Sequence, residues 1–217
     1  MIINIDKPVG WTSFDIVKKV KRITGQKKVG HGGTLDPFAS GVLILGTGKD
    51  TKNLSLITKH DKSYQAELQL GITTNTLDPE GDIIDKKLIP ALDEKSILRI
   101  LKSFEGSQKQ IPPMFSAKKH KGIRLYKLAR KNIEIERRET DIEIHNISLL
   151  RFSKDKIYFS VSCSKGTYIR VLGSEIAKKI GTVGYLKNLK RTRVGDYLIK
   201  DSKSIKTFEK SWKYIIT

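Results

Sequence analysis

The sequence contains little cysteine and no long apolar segment. Cys163 is the single cysteine among 217 residues, so the chain forms no internal disulfide, as is typical of proteins from a reducing compartment. No run of about 18 apolar residues is present, so no membrane-spanning helix is predicted. The N-terminal residues lack the basic and apolar regions of a signal peptide. These absences predict a cytoplasmic protein without membrane association.

Residues with the spacing of a metal or cofactor site are also missing. The histidines are scattered along the chain: His31, His60, His120 and His145. They form no ligand cluster. The pair Gly48-Lys49 resembles part of a phosphate-binding loop, but Leu43 and Asp50 stand where that loop requires Gly and Ser or Thr. The sequence therefore predicts no metal site, no nucleotide site and no cofactor.

Acidic residues are scarce, and one stretch has none. The chain has 42 Lys and Arg against 23 Asp and Glu, a formal net charge of +19. Such a charge attracts polyanions, with nucleic acid the leading candidate and an anionic membrane the weaker one. Between Glu105 and Glu134 all charged residues are basic: Lys109, Lys118, Lys119, Lys121, Arg124, Lys127, Arg130 and Lys131. Because like charges repel, residues 109–131 are predicted to form a basic arm that faces a polyanion.

What the sequence does contain is a glycine-rich run at 30–43, G-H-G-G-T-L-D-P-F-A-S-G-V-L. Glycine allows close approach of a backbone to a ligand, and Pro37 restricts the preceding Asp36 towards extended conformations. An apolar run, 42–45, follows and is predicted to anchor the segment in a core. On composition alone the pair Asp36-Pro37 is typical of a turn. The wider run favours the display of one carboxylate.

This run resembles the signature loop of the bacterial TruB-type tRNA pseudouridine synthases, whose pattern is close to G-H-T-G-T-L-D-P-x-A-x-G-V-L. Gly32 stands where the family usually has Thr. Phe115 stands where the family usually has Tyr. Further segments resemble family motifs in the family's order: 6–13, 62–71, 110–130, 163–170 and 185–195. The resemblance therefore extends over nearly all of residues 1–200.

The resemblance implies an isomerase that converts the uridine at position 55 of the tRNA T loop to pseudouridine by base flipping. The N1–C1′ bond breaks, the uracil turns, and C5 bonds to C1′. Asp36 would be the nucleophile, with attack at C1′, attack at C6 and glycal formation all open. Arg170 would keep that carboxylate ionised in a dry pocket. Tyr64 would stack on the flipped uracil, although a tyrosine on the apolar side of a strand is more often a core residue.

The same resemblance implies a set of substrate-binding residues. His31 would enter the RNA loop and fill the space of the displaced base. Tyr168 would line the pocket and Leu189 would complete its wall. The cations expected to bind the RNA are Lys7, Lys118, Lys187, Lys190, Arg191 and Arg193. For Asp78, in the polar loop 73–81, contact with the substrate is one interpretation, and a turn role is the favoured one.

Strand and helix patterns are interspersed without regular βαβ periodicity, which predicts the α+β class. The resemblance implies the pseudouridine synthase fold, a bent mixed β-sheet with flanking helices and a central active-site cleft, over residues 1–200. Residues 201–217 are predicted to be a short tail. Such a tail is too short for the PUA-like C-terminal domain that is usual in the bacterial family.

Two other interpretations remain open. In the first, the chain is a non-catalytic tRNA-folding factor or a general RNA-binding protein that keeps the fold and the charge. Such a protein does not need Asp36, Tyr64 and Arg170 together. The dyskerin-type synthases, which work with guide RNA, share the catalytic loop. The absence of the C-terminal domain and the bacterial form of the 6–13 motif weigh against that class. The expected partner is the T arm of tRNA, bound by a monomer that requires no other protein.

Overall fold

The computed structural model describes residues 1–213. The strands of this part are β1 (Ile2–Lys7), β2 (Val29–His31), β3 (Ser40–Thr47), β4 (Lys62–Leu70), β5 (Ile72–Thr74), β6 (Ile83–Lys86), β7 (Gly106–Gln110), β8 (Lys119–His120), β9 (Ile123–Arg124), β10 (Thr140–Phe152), β11 (Lys156–Cys163), β12 (Gly184–Val194), β13 (Tyr197–Leu198) and β14 (Lys203–Ser204). The helices are α1 (Ser13–Thr24), α2 (Leu54–Ile57), α3 (Glu94–Lys102), α4 (Leu125–Ala129), α5 (Ile169–Ile180) and α6 (Ile205–Lys213). None of these helices is long and apolar enough to cross a membrane.

The chain divides into two compact units. The first contains Met1–Gln65 and the chain from Leu189 onward, and the second contains Ala66–Asn188. The boundaries fall inside β4 and β12, so the chain passes from one unit to the other within a strand each time. Strand pairing within the units is both parallel and antiparallel, and helices are interspersed with the strands. This arrangement confirms the predicted α+β class with a mixed sheet.

The first unit is built around β3. That strand pairs antiparallel with β1 and β2 and parallel with β12, while β14 runs parallel to β1 on its other edge. The predicted apolar run is fully buried because both faces of β3 are covered. Leu43 and Leu45 pack in one cluster with Ile16 of α1, and Val42 and Ile44 pack in another with α2. The Asp36 loop thus leads directly into the core of this unit.

The second unit contains the antiparallel strands β11, β10 and β7, with α3 and α5. Along β11, Ile157, Phe159, Val161 and Cys163 are buried and alternate with less buried residues, as is typical of a strand with one face on a core. Cys163 is therefore a buried apolar residue. Helix α5 buries Ile169, Arg170, Leu172 and Ile176, among others. This helix places Arg170 inside the unit.

The C-terminal tail is ordered as far as the structure describes it. It contains β14 and α6, and Ile205 and Phe208 of α6 join the cluster that contains Ile16. The last four residues of the predicted tail, 214–217, lie outside the described residues. The described part of the tail therefore contributes to the core of the first unit.

The first long helix has a reciprocal N-cap. The Thr12 hydroxyl accepts from the Asp15 N–H (3.0 Å), and the Asp15 carboxylate accepts from the Thr12 N–H (3.0 Å). The Thr12 hydroxyl also donates to the Asp15 carboxylate (2.6 Å), and this bond, together with the one from the Thr12 N–H, lowers the pKa of Asp15 below its usual value. Thr12 and Ser13 both have the hydroxyl that suits an N-cap, and in the structure Thr12 is the cap. Ser13 is buried instead, and its hydroxyl bonds the Leu35 backbone.

We expect Thr12→Ala to lower the free energy of unfolding by about 1 kcal/mol, because an N-cap hydroxyl satisfies a helix N–H that otherwise lacks an intrahelical partner. Urea denaturation of the parent and the variant measures the difference. Because the Asp15 pKa is lowered in the folded state, the difference should shrink as the pH falls through that pKa. Thr12→Ser keeps the hydroxyl and serves as the control. Equal stability of all three proteins at neutral pH would contradict the capping role.

Candidate active site

The loop between β2 and β3 carries Asp36, which is half-buried. Its neighbours on both sides are fixed through their backbones. The Ser13 hydroxyl donates to the Leu35 carbonyl (3.0 Å) and accepts from the Leu35 N–H (2.9 Å). The Gly10 N–H donates to the Pro37 carbonyl (2.8 Å). The backbone that carries the Asp36 carboxylate is therefore held by the segment that leads into α1.

Lys7 is predicted to bind the substrate RNA, and the structure buries it completely. Its ammonium donates to the carbonyl oxygens of Pro8 (2.8 Å), Trp11 (2.6 Å) and Pro37 (3.3 Å). A buried ammonium is costly unless such acceptors surround it. Lys7 therefore ties the N-terminal segment to the residue that follows Asp36.

Arg191 has the same predicted role as Lys7 and is also buried, with 2% of its surface exposed. Its guanidinium donates to the carbonyl oxygens of Val42 (2.7 Å), Thr34 (3.2 Å) and Gly33 (3.3 Å). These acceptors lie on both sides of Asp36 along the chain. Lys7 and Arg191, both predicted to bind RNA, are thus buried and hold the loop through its backbone carbonyls.

Gly41 is required where the loop enters β3. Its φ is 106°, and a Cβ at this position would lie 2.2 Å from the carbonyl oxygen of Arg191. Only glycine fits this distance and this backbone conformation. The close approach of β3 to β12 positions the loop against Arg191.

The other predicted site residues of the first unit lie on strands. His31 is half-buried at the end of β2, opposite Leu45 of β3. Tyr64 on β4 is 8% exposed and Leu189 on β12 is 6% exposed. Lys190 is exposed. Within this unit, direct contacts join the Asp36 loop to Lys7 and Arg191.

Arg170, in the second unit, is buried with 3% of its surface exposed, which excludes the alternative of an ordinary surface arginine. Its Nη1 donates to the Thr76 carbonyl and its Nη2 to the Phe115 carbonyl, both at 2.7 Å. Nη1 also lies 3.2 Å from a carboxylate oxygen of Asp78. The guanidinium is therefore fixed in position by three separate groups.

Asp78 is a residue whose importance the sequence pattern understates. Its turn role is present, because its carboxylate accepts from the Thr76 hydroxyl (2.6 Å) and from the Glu80 N–H (3.0 Å). In addition its side chain is 4% exposed and forms the buried ion pair with Arg170. The only signal in the sequence is the acid itself within the family-like loop 73–81. The sequence does not show that this acid is the one that pairs with Arg170.

Tyr168 is the residue that precedes α5, and it is half-buried. Gln110 fixes its backbone on both sides. The Tyr168 N–H donates to the Gln110 side-chain oxygen (2.8 Å), and the Gln110 amide donates back to the Tyr168 carbonyl (3.1 Å). Gln110 is 2% exposed and was not predicted as a site residue. Its amide joins the end of β7 to the start of α5.

The basic arm, residues 109–131, contains the β8–β9 hairpin and α4. Lys121 and Gly122 have φ of 47° and 82°, the signature of a type I′ hairpin turn. All eight basic residues of the acid-free stretch are exposed, including Lys118, whose ammonium donates to the Thr140 hydroxyl (2.9 Å). A cleft of about 750 Å³ is lined partly by Lys118, Lys119, His120, Arg137 and Arg138. The arm thus presents a cationic surface with a concave part.

We expect Asp78→Asn to lower the free energy of unfolding by roughly 3 kcal/mol, because it removes the negative charge from a buried ion pair with Arg170. Chemical denaturation at neutral pH measures the change. Asp85→Asn, at an exposed position of β6, is the matched control and should change stability by less than about 0.5 kcal/mol. Equal stabilities of the Asp78→Asn protein and its parent would show that the ion pair contributes nothing.

Sequence comparison places the chain among known proteins. The model of the TruB family pseudouridylate synthase N-terminal domain matches residues 21–169. A tRNA pseudouridine synthase B from Clostridium kluyveri is 46% identical over 217 residues, which cover 99% of this chain and 75% of that protein. The same-named protein of Chlorobaculum tepidum is 43% identical, with coverage of 93% of this chain and 86% of that protein.

Solved structures agree with the predicted pseudouridine synthase fold. A crystal structure of a Cbf5–Nop10–Gar1 complex matches with a TM-score of 0.76 and 28% identity, over 98% of this chain and 54% of that chain. An H/ACA RNP bound to a substrate RNA matches with a TM-score of 0.72 and 26% identity, over 100% of this chain and 55% of that chain. This chain therefore spans about half the length of those chains. From the family match over residues 21–169 and the 46% identity to a relative of which it covers 75%, the chain belongs to the TruB family of pseudouridine synthases, which are isomerases.

Proposed function

We propose that this protein converts the T-loop uridine of tRNA, position 55, to pseudouridine, with Asp36 as the nucleophile. The observation that carries the proposal is the construction of the Asp36 loop. Lys7, Ser13 and Arg191 hold the backbone on both sides of one half-buried carboxylate. A carboxylate on a backbone that cannot relax is suited to form a covalent intermediate.

The proposed reaction requires no oxidant and no net hydrolysis. The N1–C1′ bond breaks, a C5–C1′ bond forms, the hydrogen on C5 is released and N1 gains a proton. Asp36 acts by attack at C1′, by attack at C6 or by promotion of a glycal, and each route uses the same ionised carboxylate. Tyr64 is proposed to stack on the uracil, and Tyr168 to assist removal of the C5 proton. Leu189 and His31 have the proposed roles of pocket wall and RNA wedge.

Arg170 is proposed to keep the nucleophilic carboxylate ionised when the base excludes water, since a nearby cation opposes the effect of desolvation. Its fixation by Asp78 and by the carbonyls of Thr76 and Phe115 supports that role. A guanidinium that is already fixed loses little side-chain entropy when the substrate binds.

The basic arm is proposed to bind the phosphates of the T arm. Its exposed cations, together with exposed Lys187 and Lys190, support recognition by backbone shape and charge. The buried positions of Lys7 and Arg191 support a different role for these two, which is to hold the loop. We propose that the protein acts as a monomer in the cytoplasm, with tRNA as its partner.

We expect Asp36→Asn to lower pseudouridine formation by at least roughly a thousandfold, because it removes the nucleophile and leaves the shape of the loop nearly unchanged. Tritium release from a T-arm RNA labelled at uridine C5 measures the reaction, and a filter-binding assay measures affinity. Affinity should change less than about twofold. The surface variant Asp85→Asn is the control and should retain full activity.

Release at the T-loop uridine by the parent alone would support the reaction, its position and its nucleophile. Full activity of Asp36→Asn would refute the role of Asp36. Tight binding without release, on the T arm and on whole tRNA alike, would support the alternative of a tRNA-folding or RNA-binding protein. Activity that appears only after addition of a guide RNA would support the dyskerin-type alternative.

We expect affinity for tRNA to fall steeply with salt, because phosphate neutralisation releases counterions. The triple variant Lys119→Gln, Lys121→Gln and Arg124→Gln should reduce the slope of log affinity against log salt by about 1 for each cation that contacts a phosphate. Lys95→Gln, at an exposed position of α3, should leave the slope unchanged. A slope that is the same in the triple variant and the parent would mean that the hairpin does not contact the RNA.

A further inference from the structure

Three large apolar side chains of the segment that enters α1 are exposed. Val9 is 61% exposed, Trp11 is 38% exposed and Phe14 is 59% exposed. Single exposed apolar residues are common on proteins, but these three lie within six residues of one another along the chain, and clustered exposed apolar residues often mark binding surfaces. The core of the first unit is built from other residues of this region, including Ile16, Val17 and Val20.

The backbone under these residues is fixed to the loop that carries Asp36. The carbonyl of Trp11 accepts from buried Lys7 (2.6 Å), and the same ammonium reaches the Pro37 carbonyl. Ser13, which precedes Phe14, bonds the Leu35 backbone through its hydroxyl in both directions. The backbone that carries both rings is therefore tied to the Asp36 segment by buried groups.

The surroundings of these apolar residues are cationic. The ammonium of Lys18 lies 4.9 Å from the centre of the Phe14 ring, within the range of a cation–π interaction. Lys21 and Arg22 are exposed further along α1. Asp15 is the acid of the first turn, and its carboxylate is engaged by the Thr12 cap. Aromatic rings next to basic side chains are the typical surface for unpaired nucleotides, whose bases stack while their phosphates are neutralised.

We propose that Trp11 and Phe14 form a stacking surface for an unpaired base of the substrate RNA, adjacent to the nucleotide held at Asp36. This inference rests on the proposed function and extends it by a contact with a second nucleotide. A ring recognises the face of a base, so the contact contributes affinity and position and tolerates different bases. The charge around the two rings favours RNA over an apolar protein segment as the occupant of this surface.

The test combines protein variants with RNAs that lack one base. Trp11→Ala and Phe14→Ala should each weaken binding of a T-arm RNA by roughly 5- to 100-fold, the range measured for one stacked base, with kcat nearly unchanged and KM raised. Removal of the stacked base from one loop nucleotide should cause a similar loss. Because both changes remove the same contact, their combination should cause little further loss.

Conservative variants separate stacking from a structural role. Trp11→Phe and Phe14→Tyr keep a ring and should retain most of the affinity. Leu88→Ala, which shortens an apolar side chain that is 94% exposed, is the control and should leave binding unchanged. In a Trp212→Phe background Trp11 is the remaining tryptophan, because the chain has two, and its fluorescence should change when RNA is added.

Two results would overturn the proposal. In the first, the losses of affinity from the ring variants and from base removal add for every base-lacking RNA, which would show that the rings contact no base of the loop. In the second, Trp11 fluorescence stays unchanged at saturating RNA, which would show the same directly. If the parent protein forms pseudouridine but the losses from the ring variants and from base removal simply add, the stacking surface is refuted and the proposed function stays intact. If the parent forms no pseudouridine but the losses of RNA affinity do not add, the proposed function is refuted and the surface is supported as an RNA contact.

Discussion

Buried cations that donate to backbone carbonyls determine the position of the Asp36 loop. Moving an ammonium or a guanidinium out of water costs several kcal/mol unless acceptors replace the lost hydration. Lys7 and Arg191 are each surrounded by three carbonyl oxygens, and these acceptors come from the N-terminal segment, the loop and β3. A displaced loop would take the Pro37 carbonyl from Lys7 and the Thr34 and Gly33 carbonyls from Arg191. The energetic penalty of that state is what keeps the loop, and with it the carboxylate, in one conformation.

The second unit applies the same principle to Arg170. There the buried cation is held by two carbonyls and by the carboxylate of Asp78, which is itself fixed by Thr76. The difference in partners has a chemical meaning. A carbonyl dipole stabilises a buried cation without cancelling its charge, whereas the carboxylate of Asp78 neutralises Arg170 in part. The strength of a cation in the interior is thus set by whether its partner is a dipole or an anion.

The sequence predicts the elements whose causes are local, and it misses contacts between distant segments. The burial of β3 and the alternation along β11 follow from patterns a few residues long, and the Thr12 cap is one of two local options. The family resemblance implies that Arg191 is an RNA contact, but its acceptors lie up to 158 residues away along the chain, where no local pattern indicates them. Gln110 likewise acts on Tyr168 across 58 residues. The role of Asp78 depends on its ion pair with Arg170, and no local sequence pattern identifies that partner.

Two glycines of the chain, Gly122 and Gly41, differ in how far their positions tolerate substitution. Gly122, in the arm hairpin, has a positive φ and open space around it, so asparagine, which tolerates that conformation, is an acceptable replacement. Gly41 faces the carbonyl oxygen of Arg191 at a distance that no Cβ atom can occupy. Each single-nucleotide missense change in a glycine codon adds a side chain, so each such mutation at this codon separates β3 from β12. The hairpin can therefore drift in sequence over evolution, while the entrance to β3 has no neutral alternative.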